Sequence, residues 1–510
     1  MDANYPCPPV NATTRNQSQY VNTLMIRTPM TSKTRLLHGF LLLLLAGSAF
    51  AQNEFNDLPN LGDSTGQIYS PEQDRALGAA FMRELRQEDL ILDDPEATRY
   101  LASLGRKLTV HSENPGFGFT FFLVNDKRIN AFAGPAGHIG ANTGLVLAAE
   151  SESELAGVMA HEIAHVTQRH LARAFETADK LSLPTTAAII AAILIGTQDG
   201  AAGAAAITAA SAANLQSRIN FTRANEQEAD RVGIQALADA GFDPNGMGRF
   251  FERLQKNSRL YGTRPPEFLS THPVTTNRIA EAESRASAYP KVDVPDNPEF
   301  QLIRAKLHVQ SYDNLSQVLA DYQRYHGMSG GDTAVERYEY ALLLAANEQY
   351  QAAIKVMDAL QKSDPDRLAY RLALADIHQR AREYDAALQI YQSTNTLYPG
   401  ELAVVIPYAN SLLANNQADA AYALLLSASN TSTENPQLYK LLAQAAGASN
   451  NMAQTHTAMS QYYYLNGYTD TAIEQLQLAA RTSGLSDYQA TRIQARLTQL
   501  LELRKAEELE

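Results

Sequence analysis

The stretch Glu154-Leu-Ala-Gly-Val-Met-Ala-His161-Glu162-Ile-Ala-His165-Val-Thr-Gln168 decides how this chain is read. Its residues favour a helix, and between Glu152 and Phe175 only Gly157 argues against an unbroken one. Residues four apart lie one above the other on a helix. His161 and His165 therefore leave the same face, close enough to hold one metal ion. Glu162 lies about 100° further round, within reach of a metal-bound water. This is the H-E-x-x-H pattern, in which two imidazoles bind zinc and the glutamate is general base. A bare five-residue match can arise by chance, and two solvated or core histidines would satisfy it equally. The surroundings favour a site. Leu155, Val158, Met159, Ile163 and Val166 make the helix apolar, and a buried histidine pair with a glutamate is costly unless something satisfies it.

Zinc in a catalytic site takes a third protein ligand and leaves the fourth position open. A second helix is expected from Arg218 through Leu237, and Glu226 on it is the candidate third ligand. Asp230, one turn on, can accept the second N–H of a ligating histidine and fix its tautomer. Glu228 competes for the metal, although a solvated helix carboxylate is the simpler reading of it. His170 follows His165 without the glycine of H-x-x-G-x-x-H, so the metzincin third histidine is absent. His170 is expected at the surface.

Upstream, Pro71 to Leu108 has helical periodicity, with Ala76, Ala80, Phe81 and Leu85 on one stripe and Tyr100, Leu101, Leu104 and Leu108 on another. Phe117 to Val124 is aromatic and β-branched and predicts a strand; Ile129–Ala133 and His138–Asn142 predict two more. Such a sheet could lend an edge to an extended peptide, or serve as a structural meander only. Leu183 to Leu215 is rich in Ala, Ile, Gly and Thr, and its apolar runs are too short to cross a bilayer. A buried hairpin, a lid over the site and a lipid-touching segment all fit it.

From Phe300 the chain is helical and repetitive. Tyr350, Ala353 and Pro365 return 34 residues later as Tyr384, Ala387 and Pro399. That is the tetratricopeptide period. The pattern reaches Ala421 and then drifts, with Pro436 three residues late. Further degenerate pairs are expected to about Leu503. Tyr338, Tyr340, Tyr370, Tyr391, Tyr408, Tyr439 and Tyr462 to Tyr464 divide between the core and a groove for a protein partner.

The first residues differ in kind. Lys33 and Arg35 precede an apolar run from Leu36 to Ala46, and Ala49-Phe-Ala51 follows. This is a secretory signal peptide with a cut after Ala51; a transmembrane anchor would need a longer run. Translation starting at Met25 or Met30 would suit the signal better. The lone cysteine, Cys7, lies ahead of the cut, so no disulfide or lipoprotein anchor is expected beyond it. Residues 1–51 carry a net +3, so the chain's −13 becomes −16 for residues 52–510. Such acidity argues against nucleic acid as a partner. The expected organisation is a leader over 1–51, a peptidase domain over 52–295 and a repeat domain over 296–510, with no stable transmembrane anchor.

His161-Glu-Ile-Ala-His165, Asn225-Glu-Gln-Glu-Ala-Asp230, Ser270-Thr-His-Pro273 and Arg278 together resemble the zinc peptidase family that includes the CAAX prenyl endopeptidases and the heat-shock membrane protease HtpX. With a signal peptide in front and repeats behind, the chain is most similar to the periplasmic members that serve β-barrel assembly. The resemblance implies a mostly α protein: a zincin-like metallopeptidase domain of helices plus a small β-sheet, then an α-solenoid of tetratricopeptide repeats. It implies one Zn2+ per chain on His161, His165 and Glu226, with Glu162 and Asp230 in catalysis. It makes His272 a regulatory fourth ligand and Arg278 a support for an oxyanion or for the loop. It also implies periplasmic work on unfolded or misfolded outer-membrane proteins, chaperone-like as well as proteolytic, and contact with the β-barrel assembly machinery through the repeats. A repeat-based chaperone or adaptor with a latent zinc site is the competing reading.

Overall fold

A computed structural model describes residues 70–175, 183–195, 222–261, 267–291, 294–295, 297–327 and 331–509. The leader, and the expected hairpin beyond Ile195, lie outside the described residues. The sequence-predicted helix over 71–108 is two helices. α1 (Pro71–Gln87) opens with a capping box between Ser70 and Gln73. α2 (Pro95–Thr109) is capped by Asp94, which accepts from the Glu96 and Ala97 N–H groups. Asp89, with φ 53°, reverses the chain between them.

Three short strands follow: β1 (Thr120–Val124), β2 (Ala131–Ala133) and β3 (His138–Asn142). The spatial order is β1-β3-β2, with β3 parallel to β1 and antiparallel to β2. The sheet is therefore not a simple meander. Leu90 to Leu92 runs along the outer side of β1, where Leu92 N–H donates to the Leu123 carbonyl. β2 forms the other edge.

Next come α3 (Thr143–Ala148), α4 (Glu152–Thr167), α5 (His170–Phe175) and α6 (Leu183–Ile195). The motif helix is α4, and it ends earlier than the sequence suggests. Arg169 takes φ 54° and breaks the expected continuity to Phe175. Gly157 does not interrupt it. In α6, Ile189, Ile190, Ala191 and Leu194 pack with Leu77 and Phe81 of α1, so this part of the Ala/Ile-rich segment is core. Among the described residues no helix is long and apolar enough to cross a membrane.

α7 (Arg223–Asp239), α8 (Asn245–Tyr261), α9 (Glu267–Thr271) and α10 (Thr276–Ala286) complete the surroundings of α4. Two glycines set the approach. A Cβ on Gly157 would lie 2.9 Å from the Met247 backbone of α8, and one on Gly233 would lie 3.1 Å from the Ala160 carbonyl carbon. Leu155, Val158, Met159 and Ile163 of α4 then meet Leu104, Leu108, Phe250, Phe251 and Phe268 in one core.

The remaining helices stack as pairs. They are α11 (Pro298–Ser311), α12 (Leu315–His326), α13 (Ala334–Ala346), α14 (Tyr350–Ser363), α15 (Leu368–Arg380), α16 (Tyr384–Leu397), α17 (Leu402–Ala414), α18 (Ala418–Ser429), α19 (Pro436–Ala448), α20 (Met452–Leu465), α21 (Thr469–Ala480) and α22 (Asp487–Leu509). α13, α15, α17 and α19 begin at 334, 368, 402 and 436, each 34 residues after the last. The turns inside the pairs keep the same period: Glu348, Arg382, Asn416, Asn450 and Gly484 all have positive φ. The drift read from the side chains after Ala421 is thus absent from the backbone. Pro436 is late only because it occupies the first helical turn, whereas Pro365 and Pro399 sit in the preceding loops. Tyr338, Tyr340, Tyr370 and Tyr391 are core; Tyr462 lines a cleft.

The array is bolted to α1 and α2. Phe300, Ile303 and Leu307 of α11 enter the core around α4, and Leu302, Ala305 and Val309 enter that of the repeats. Lys306 Nζ lies 2.8 Å from Asp94 Oδ2 and 2.8 Å from Glu96 Oε2. Arg99 joins Glu299 at 2.5 Å and Glu401 at 3.2 Å. Arg86 donates to the Leu465 and Glu434 carbonyls at 3.0 and 3.1 Å. These ties enclose a cleft of about 930 Å³, lined among others by Arg106, Thr120, Lys440 and Tyr462.

Gly157→Ala is expected to lower the melting temperature, with overpacking of about 1–3 kcal/mol reversing the usual gain from alanine in a helix; a calorimetric scan reads the sign. A second expectation concerns pH. Burial alone would raise the Asp94 carboxyl, but Lys306 holds it below its ordinary value. A carboxyl lowered on folding adds stability above its unfolded value near 3.8, lost as pH falls through the folded one. Lys306→Met should cost on the order of 3 kcal/mol at neutral pH. It should also flatten the decline on acidification, which urea midpoints from pH 6 to 3 would record.

Candidate active site

Regular winding of α4 puts the His161 and His165 Nε2 atoms 3.0 Å apart. α7, drawn close by Gly233, delivers Glu226: its Oε2 is 3.5 Å from His161 Nε2 and its Oε1 is 3.4 Å from His165 Nε2. His272 follows the short α9. Its Nδ1 lies 3.0 Å from Glu226 Oε1 and 3.4 Å from His161 Nε2. These four residues form the one His/Cys/Asp/Glu group with metal-binding spacing among the described residues, and all four are buried.

The donor set fits a tetrahedral ion. Bonds of about 2.0–2.1 Å from zinc to nitrogen or oxygen imply ligand atoms about 3.3–3.4 Å apart. The separations here run from 3.0 to 3.5 Å. Two imidazole lone pairs aimed at one point repel unless a positive charge lies between them. Charge counting agrees. Glu162, Glu226 and Asp230 are buried carboxyls facing one guanidinium, Arg278, an acidic surrounding that a divalent cation would favour. Burial opposes a charge on His161, yet its bonds to Asp230 and Glu226 push it up to about 9. His165 is held well below its usual value, chiefly by burial.

Glu162 is the conspicuous group. Its carboxylate is fully buried, and neither oxygen has a hydrogen-bond partner among the described residues. His272 Nε2 lies 3.6 Å from Glu162 Oε1. Burial pushes its pKa up, so the position suits a base that takes a proton and returns it.

Asp230 Oδ1 lies 3.0 Å from His161 Nδ1, the nitrogen that faces away from the cluster. Arg278 holds Asp230 by two bonds of 2.8 Å, Nε to Oδ2 and Nη2 to Oδ1. Its Nη1 reaches Glu226 Oε2 at 2.7 Å and donates to the Pro273 carbonyl at 3.0 Å. Arg278 thus ties the His272 loop to the α7 carboxylates, with the Phe251 ring 5.0 Å from its carbon.

One expectation fails. His170 is not at the surface: it is fully buried, and its Nδ1 lies 2.8 Å from His165 Nδ1. On a continuous helix a residue five places on would stand about 140° away. The left-handed turn at Arg169 swings His170 back instead, and a positive φ at arginine has no sequence signature. Glu228 stands outside the donor cluster, with Oε2 3.1 Å from His170 Nε2.

Stripping divalent metal with a chelator should lower the melting temperature, and reloading should restore it. Asp230→Asn, which disturbs the acceptor behind His161, should weaken metal binding by about 10–100-fold. Equilibrium dialysis with metal analysis measures that loss.

Comparison with known proteins accords with this geometry. Residues 95–286 match Peptidase family M48 and residues 378–445 match a tetratricopeptide repeat. The chain is 34% identical to the putative beta-barrel assembly-enhancing protease of Vibrio cholerae, across 89% of this chain and 94% of that one. It is also 34% identical to the beta-barrel assembly-enhancing protease of Escherichia coli, across 90% and 93%. The mitochondrial metalloendopeptidase OMA1 of Arabidopsis thaliana is 34% identical over 193 residues, 37% of this chain and 36% of that one. With two such relatives matched along almost their whole length, and a buried His/Glu cluster able to hold a metal, this chain belongs to the beta-barrel assembly-enhancing protease family of metallopeptidases.

Proposed function

We propose that this protein is an exported zinc endopeptidase with chaperone-like activity, which degrades misfolded outer-membrane β-barrel proteins or assists their assembly. The observation that carries the peptidase reading is the Glu162 carboxylate, fully buried and without a hydrogen-bond partner beside a four-donor cluster. A purely structural metal site has no use for such a base. His161, His165 and Glu226 are the ligands in this reading, one ion per chain, in the H-E-x-x-H plus E-x-x-x-D arrangement. When bound, zinc polarises the scissile carbonyl and lowers the pKa of its water. Glu162 accepts that water's proton and passes it to the leaving amide nitrogen. Asp230 keeps the His161 Nδ1–H in place, so that Nε2 faces the ion, and Arg278 steadies Asp230 and Glu226 together.

His272 holds the enzyme latent. Its Nδ1 lies among the other three donors, where it would keep water and substrate from a bound ion. Its ring stacks on Phe268 with centroids 4.9 Å apart, and the Phe268 N–H donates to the Ile129 carbonyl at 3.2 Å. Release of this short segment opens the site. The same plug favours the second reading, a repeat-based chaperone or adaptor whose zinc site stays silent.

In this account residues 52–295 form the peptidase domain and 296–510 the repeat domain. The leader directs the chain to the periplasm and is cut after Ala51. The repeats receive unfolded outer-membrane proteins and contact the β-barrel assembly machinery. The cleft between repeats and peptidase is a suitable place for both to meet a client.

Casein cleavage by the purified chain, with zinc content measured alongside, tests the proposal. Glu162→Gln should keep zinc and lose about 10²–10⁴-fold in rate; His272→Ala should cleave faster than wild type. Equal inertness of all three, with zinc still bound, would leave the repeats as the working part.

A further inference from the structure

The two histidines of α4 are anchored differently. Behind His161 stands a carboxylate, Asp230. Behind His165 stands another histidine, His170, and behind that Glu228, whose side chain is half-buried near Arg173. We propose that His170 and Glu228 form a hydrogen-bonded relay that sets the tautomer and orientation of His165, and thereby the affinity of the site for its metal. The proposal rests on the reading of the cluster as a zinc site. Both residues are positioning residues, since neither touches the metal or a substrate.

The direction of the relay follows from its outer end. A carboxylate only accepts. The 3.1 Å contact to Glu228 Oε2 therefore takes a proton from His170 Nε2. A neutral imidazole carries one N–H, so His170 Nδ1 is left with a lone pair. The 2.8 Å contact between the two Nδ1 atoms must then be donated by His165. With its proton on Nδ1, His165 turns the lone pair of Nε2 towards Glu226, His161 and His272, which is the form a metal needs. A surface carboxylate thus decides which nitrogen of a buried ligand is free to bind.

The turn at Arg169 serves this arrangement. Its φ of 54° lies in the left-handed region, which a non-glycine residue adopts only at a cost. It ends α4 and starts α5 so that His170 comes back beneath His165. Without it the ring would point away and His165 Nδ1 would lose this partner.

The test uses the full chain and has readouts other than proteolysis. Zinc affinity is measured by competition with a chromophoric chelator at high salt, where a bare surface charge is screened. The visible spectrum of the cobalt(II)-loaded protein reports the ligand geometry. Glu228→Lys puts a donor where the relay needs an acceptor and should reverse it; His170→Leu removes the acceptor while keeping bulk. Both should bind zinc about 10–100-fold more weakly and shift the cobalt bands. Glu228→Gln and His170→Asn retain a carbonyl acceptor and should stay near wild type. The Glu228 side chain is partly exposed, so those variants answer the question even if His170→Leu fails to fold. Four affinities equal to wild type would overturn the relay, and so would Gln and Asn variants as weak as Lys and Leu. Wild type without zinc affinity would overturn the metal reading itself, a failure distinct from that of the relay alone.

Discussion

The burial of the Glu162 carboxylate is the constraint from which the centre of this protein follows. A charged or proton-sharing carboxyl with no hydrogen-bond partner is among the most costly groups to enclose. The chain encloses it on a helix that is core for most of its length, flanked by Leu155, Val158, Met159 and Ile163. The surroundings are arranged to tolerate this: donors aimed at one point, a guanidinium shared between two other carboxylates, and aromatic rings that keep water out. A buried cluster of this composition could hold a metal ion.

Packing also fixes how the donors are held. α7 and α8 lie against α4 at close glycine contacts, 3.1 Å and 2.9 Å from where a Cβ would stand to the facing backbone. Glu226 and Asp230 are therefore held to α4 by backbone-to-backbone approach, which is difficult to deform. The segment bearing His272 is a five-residue helix, tied by the Phe268 N–H, the ring stack and Arg278. Three of the donors thus sit on long packed helices, and the fourth follows a short one. The repeats are fastened to the same body through Lys306, Arg99 and Arg86, at the beginning, middle and later part of the array. Whatever loads the repeats therefore acts on α1 and α2 directly.

Legibility followed local geometry. His161 and His165 are legible because one helical turn brings them together whatever the rest of the chain does. Glu226 and Asp230 share a face of α7 for the same reason. The repeats were legible where small residues mark helix crossings, at Ala353 and Ala387. Beyond Ala421 the side chains lost the pattern while the turns at Asn450 and Gly484 kept it, since a left-handed turn can be built from several residue types. The first helical region is two helices because the chain reverses at Asp89, and the sequence signal for the second start is the Asp94-Pro95 cap. His170 was misplaced because the positive φ at Arg169 has no sequence signature.

By itself, then, the sequence determined the helix that carries the motif, the residue types of the donors, the period of the repeats and the net acidity of the chain. All of these depend on residue type and on spacing within one element. Only the tertiary structure decided that His272 joins His161, His165 and Glu226, that Arg278 spans Glu226, Asp230 and the Pro273 carbonyl, and that His170 stands behind His165. Each of those depends on where a chain reversal points the next segment. Such reversals rest on one backbone angle or one loop closure, and these leave almost no trace in composition or periodicity.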